Sequence, residues 1–112
     1  MEVIYSVYLS EKTQRFCDNQ TKKARKKIDF VIDKVKLGLF GDWFKKLVNS
    51  DDIWEFVIDY QGIFYRILAF WDTSNKNNPE ILCTHGFKKK SNRTPKKEIK
   101  KAERIKKLYF EE

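Results

Sequence analysis

Apolar and polar positions alternate from Val3 to Leu9. Val3, Tyr5, Val7 and Leu9 stand against Ile4, Ser6 and Tyr8, and the β-branched and aromatic content predicts a strand. The period then changes. Ser10 offers an N-cap for a short helix through about Cys17. Ala24, Ile28, Val31, Ile32 and Val35 recur at i, i+4, i+7, i+8 and i+11, one face of a helix from about Thr21 to Leu37, with Gly38 as its C′ glycine.

The centre reads as antiparallel sheet. A short strand near Phe44 to Val48 precedes Ile53 to Tyr60, a turn at Gln61 and Gly62, and Ile63 to Trp71. A polar loop from Asp72 to Pro79 leads to a further strand, Glu80 to Phe87. A last helix is predicted from about Pro95 to Tyr109, with Thr94 as N-cap, Pro95 at the first helical position and Glu98 complementing the dipole. Its apolar stripe of Ile99, Ala102, Ile105 and Leu108 is narrow, and the remainder is mostly Lys, Arg and Glu. The fold class is therefore α+β: an N-terminal strand and helical pair, an antiparallel meander of three to four strands, and a C-terminal basic helix. The helices are expected on one sheet face, leaving the other at least partly open beside the basic helix.

Residues 1–112 suit one domain with a single core. A content of 41% hydrophobic and 15% aromatic residues predicts folding despite 36% charge. The net charge of +8 is local. Residues 85 to 112 hold eleven Lys and Arg against four Glu, a net of +7, whereas residues 1 to 84 hold thirteen against twelve, a net of +1. Such a cluster attracts a polyanion: nucleic acid, an anionic membrane surface or an acidic protein. Cys17 and Cys83 lie far apart among apolar residues and suggest two buried free thiols in a cytoplasmic protein. Neither a secretory leader nor a membrane span is expected, since no apolar stretch approaches the ~20 residues a span needs.

Arg66 is the only charge in the run from Ile63 to Trp71, so it must face an open surface or be paired. On an open face its planar fork suits a phosphate. The other reading is a salt bridge to Glu55 or Asp59 on the neighbouring strand. Lys88, Lys89 and Lys90 end the last strand and run into Arg93, Thr94 and Pro95, concentrating cations at a strand-to-helix corner that favours an anion. His85, the one histidine, stands just before that corner as a possible acid or base, or as a structural strand residue. There is no G-x-S-x-G elbow, P-loop, dinucleotide fingerprint, paired metal ligands or acidic cluster for two magnesium ions. Any catalysis must then rest on cations and hydrogen bonds, with no cofactor or metal expected.

The second half of the chain resembles the RelE/ParE superfamily, and within it the HigB branch of phage-type toxins. The resemblance runs through Lys46-Leu47, Ile53-Trp54-Glu55-Phe56, Tyr65-Arg66-Ile67 and His85-Gly86-Phe87. It is sharpest at Phe87-x-Lys89-Lys90-x-x-Arg93-Thr94-Pro95-x-x-Glu98-Ile99-x-x-Ala102. It implies a toxin neutralised by a helix-turn-helix, HigA-like antitoxin, with any operator DNA met only through that antitoxin. It also implies cleavage of messenger RNA on the ribosome, in which the 2′-hydroxyl attacks the adjacent phosphate. Arg66, Lys89, Lys90 and His85 would then be the catalytic set, and Lys46, Lys88, Arg93, Lys96 and Lys97 would bind RNA. One position departs: Val57 stands where the superfamily often has Arg. A toxin of this fold that only binds, such as a gyrase poison, and a non-catalytic nucleic-acid-binding domain are the alternatives.

Overall fold

A computed structural model of the chain describes residues 3–111. The elements are β1 (Ser6–Leu9), α1 (Glu11–Asp18), α2 (Lys22–Lys36), β2 (Phe44–Lys46), β3 (Trp54–Tyr60), β4 (Ile63–Asp72), β5 (Glu80–Lys89) and α3 (Lys96–Glu111). They form one five-stranded sheet in the order β1-β5-β4-β3-β2. Four of these strands make the expected antiparallel meander, and β1 closes it by pairing parallel to β5. The α+β architecture read from the pattern is the one observed.

Strand alternation sorts the side chains onto two faces. Phe56, Ile58, Tyr65, Ile67, Ala69, Ile81 and Cys83 point to one face, where Ala24, Ile28, Ile32 and Val35 of α2 and Cys17 of α1 cover them. Each fully buried branched side chain of α2 stabilises the sandwich by roughly 1.5–3 kcal/mol. Ser10 and Thr21 cap α1 and α2, accepting from the amides of Thr13 and Ala24. Cys17 and Cys83 are both buried free thiols.

Leu68, Phe70, Leu82 and Phe87 point to the other face, against Ala102 and Ile105 of α3. The helices therefore lie on both faces, not on one: α3 covers part of the face expected to be at least partly open. Only Ala102 of its stripe is fully buried. Leu108 is 56% exposed, and Tyr109 and Phe110 make the end contact instead, packing on Phe70. Tyr109 also donates to Asp72 Oδ2 at 2.7 Å, a bond that pushes its phenol up to about 12.

Two turns place the strands around the site. Gln61 and Gly62 both have positive φ, the requirement of a two-residue type I′ hairpin, although Gln is not a residue that turn favours. Between β2 and β3 the chain doubles back through Asn49 and Asp52, both left-handed, with Ser50 Oγ donating to Leu47 O at 2.7 Å and accepting from Ile53 N at 3.1 Å.

Candidate functional site

A groove of about 750 Å³ opens between the β2–β3 end of the sheet and the first half of α3. Phe44 sits in the core, so its neighbour Lys45 must point to the α3 face, directly across from Glu55. Arg93, Lys96 and Lys100 stand on the opposite wall, with Leu47, Val48 and Ile99 as the apolar parts of the lining. Four cations thus line the groove against two carboxylates, Glu55 and Glu103. Of these acids, Glu103 is engaged by Asp51 N at 2.8 Å.

Behind the groove Arg66 is 1% exposed and Glu55 2% exposed. Arg66 Nε lies 3.6 Å from Glu55 Oε2, and its Nη1 lies 3.4 Å from Asp59 Oδ1. Its Nη2 donates to Asn92 O at 3.1 Å and to Asn92 Oδ1. Of the two readings of Arg66, the paired one is what the geometry contains. The segment after β5 passes over this charge, and Thr94 closes it by donating to Glu55 Oε2. The hydroxyl expected to cap α3 is thereby spent on β3. The first turn of α3 closes with the amides of Glu98 and Ile99 on Pro95 O. Arg66 Nε is the one buried side-chain nitrogen or oxygen among the described residues that lacks a hydrogen bond. A charge held this way stays only while its carboxylate partner and its cover both remain.

Lys89 shares the face of Arg66. Its ammonium is held below the usual lysine range, first by burial and then by the neighbouring charges of Arg66 and Arg93, with Glu55 opposing. Arg93 and Lys96 line the groove. Lys90 and Lys97 are exposed outside its lining, and Lys88 shares the opposite face with Tyr65, its partner across the ladder. Lys46 turns away at the sheet edge and pairs with Asp52 at 2.6 Å. The groove residues missed by sequence reasoning are Lys45 and Lys100. The core position of Phe44 and the helical step of four from Lys96 were the signals that could have found them.

His85 is not presented to the groove. It is 2% exposed, with Nδ1 3.0 Å from Thr84 Oγ1 and Nε2 3.1 Å from Glu98 Oε1, so it ties β5 to the first turn of α3. Burial holds its pKa below the ordinary 6.5, with the Glu98 carboxylate pulling the other way. The unfolded chain therefore takes up this proton first as pH falls, and the native state loses stability below about pH 6.5. Denaturation midpoints from pH 8 to 5 should show that loss, and His85→Gln should flatten it. The same slope in both proteins would assign the loss to carboxylates instead.

The class defined by these observations is a small basic α+β protein with a cation-lined groove beside a buried arginine. The chain belongs to the phage-derived protein Gp49-like family (DUF891), whose model matches residues 15–107, within the RelE/ParE-like toxin superfamily. No curated protein and no solved structure matches it. Among the described residues no helix is long and apolar enough to cross a membrane, and no three His, Cys, Asp or Glu converge as metal ligands.

Proposed function

We propose that this protein, acting as one domain, is the toxin of a toxin and antitoxin pair and that it cleaves messenger RNA on the ribosome without a metal. The observation that carries the reading is the groove, where Lys45, Arg93, Lys96 and Lys100 line a path for a phosphate chain, with Lys89 outside that lining on the sheet face that carries Arg66. In the cleavage the 2′-hydroxyl gives up its proton to solvent as its oxygen bonds to the adjacent phosphorus, the bond to the 5′-oxygen breaks, and that oxygen leaves as a hydroxyl after taking a proton. The protein orients the strand and stabilises the added negative charge on the phosphorane. Lys89, on the face of Arg66 and with an ammonium that gives up its proton more readily than an ordinary lysine, is the group best suited to protonate the departing 5′-oxygen. Arg66 shapes the site from behind. An anion that displaced Asn92 would meet its guanidinium directly. The partner is an antitoxin whose acidic surface covers the groove in the cytoplasm, carrying the helix-turn-helix that would bring operator DNA.

A second reading, a toxin that binds without cutting, is favoured by one observation. Arg66 is committed to Glu55, Asp59 and Asn92, and Val57, directly across the ladder from it, supplies no second cation.

Primer extension on a defined messenger RNA separates the two, with and without ribosomes. Lys89→Ala and Arg93→Ala are the variants to use, because both side chains leave the packed core intact. Cleavage should require the ribosome and fall roughly 100-fold in Lys89→Ala. Well-folded native protein that leaves the message whole would move the conclusion to the binding toxin.

A further inference from the structure

A second basic surface lies on the far side of the sheet. Helix α2 begins Thr21-Lys-Lys-Ala-Arg-Lys-Lys27 and has no acid in its first turn, so cations crowd the positive end of its dipole. Lys22 and Lys26, and likewise Lys23 and Lys27, stand at i,i+4, where like charges repel. Arg25 is neutralised by Asp18 and Asp29, but among the described residues no carboxylate lies within ion-pair distance of Lys23, Lys26 or Lys27. Both arrangements cost helix stability, which points to a use outside the fold.

Those three lysines surround Phe30 and Tyr60 in a shallow depression of about 450 Å³. Lys27 Nζ lies 6.0 Å from the Tyr60 ring centroid, and Lys34 Nζ lies 5.4 Å from that of Phe30 and 3.4 Å from that of Trp43. Phe30 is 62% exposed. A lone surface aromatic is ordinary. This one lies on a single helical stripe with Lys23, Lys26, Lys27 and Lys34, a stripe about 16 Å long at the α-helical rise.

We propose that this face of α2 is a second nucleic-acid-binding surface, taking single-stranded RNA with its phosphates on Lys23, Lys26 and Lys27 and an unpaired base stacked on Phe30. Charge complementarity selects a polyanion, and the pattern selects RNA over an acidic protein segment. An amphipathic protein helix needs a row of apolar anchors, whereas the stripe offers one ring among lysines, the combination that holds single strands. Because α2 packs on the face opposite the groove, a strand in the groove does not occupy this surface. The protein can therefore hold two RNA segments at once.

The test is fluorescence anisotropy with a short labelled 2′-O-methyl RNA, which cannot be cut by 2′-hydroxyl attack. It is run on full-length Lys45→Ala/Arg93→Ala/Lys96→Ala/Lys100→Ala protein, which lacks all four cations of the groove lining, so that residual binding reports the α2 face. That protein should still bind. Adding Phe30→Ala should weaken binding roughly 10-fold without changing its salt dependence. Adding Lys26→Ala/Lys27→Ala should lower the slope of log affinity against log salt by roughly 0.7 per lysine. Circular dichroism confirms that each variant is folded. Loss of all binding in the groove variant would overturn the proposal. So would indifference to the α2 changes, or a polyglutamate peptide binding as tightly as RNA with no dependence on Phe30.

Discussion

Replacing Arg66 by methionine is expected to cost the fold about 3–5 kcal/mol, because it leaves Glu55 buried and charged with only the Thr94 hydroxyl to hold it. The loss should come from the orphaned carboxylate more than from the missing arginine. Arg66→Met with Glu55→Gln should therefore recover much of it, since a neutral amide next to an apolar side chain removes the unpaired charge. Urea denaturation of the two single variants and the double variant measures this coupling. Additive losses would show that Glu55 is hydrated from the groove and that the pair is not one unit. The same experiment bears on activity. An Arg66 variant that stops cleavage while half unfolded says nothing about phosphate binding, which is why Lys89 and Arg93 are the better probes of the reaction.

Gly86→Ala should also be strongly unfavourable, and the sign is the informative part. A glycine within a strand usually gains about 0.5–1 kcal/mol on becoming alanine. Here an added Cβ would lie 2.3 Å from Phe16 Cδ2 and 2.7 Å from both its Cε2 and Cγ, so the ring that anchors α1 on β5 must move. We expect a loss of about 1–3 kcal/mol, read as a lowered melting temperature. Shortening the obstructing ring with Phe16→Leu should return part of it. A Gly86→Ala protein as stable as the parent would mean that Phe16 swings out freely and that α1 is loosely held.

The elements were legible in the sequence because each carries its own period. Val35 and Ile28 mark the buried side of α2 without reference to anything else, and the polar loop before Glu80 separates β4 from β5 by composition alone. Pairing was not legible to the same degree. The alternation at Val7 and Leu9 announces a strand but does not say that their partners are Ile81 and Cys83, some seventy residues on, or that the pairing is parallel. The side of the sheet taken by α3 was misread for a related reason. Its stripe shows only that one edge docks, and both sheet faces offer apolar residues along β4.

At the site, the cations of the segment after β5 could be located from the sequence, and their orientations could not. Lys46 is the expected cation whereas Lys45 lines the groove, and a one-residue step in a strand exchanges the faces. Arg66 was understood as a charge needing a partner, and Glu55 and Asp59 were both named. That Asn92 and Thr94 would fold over the pair depends on the path of a loop, which carries no period. Thr94 shows the limit of local rules: a residue well suited to begin a helix was recruited by a carboxylate on another strand.

The parallel seam between β1 and β5 also sets a timetable for synthesis. Strand β1 leaves the ribosome with no partner until Glu80 to Lys89 follow it, and the covering segment and α3 come later still. Early segments can form helix and hairpin locally, but closing the sheet waits on a contact between distant parts of the chain, the kind of step that slows folding. The groove and its cover over Arg66 are thus assembled together only once α3 has followed β5, so a chain cut before α3 holds no finished site. Anything that recognises the completed groove therefore meets a chain in which α3 has already docked.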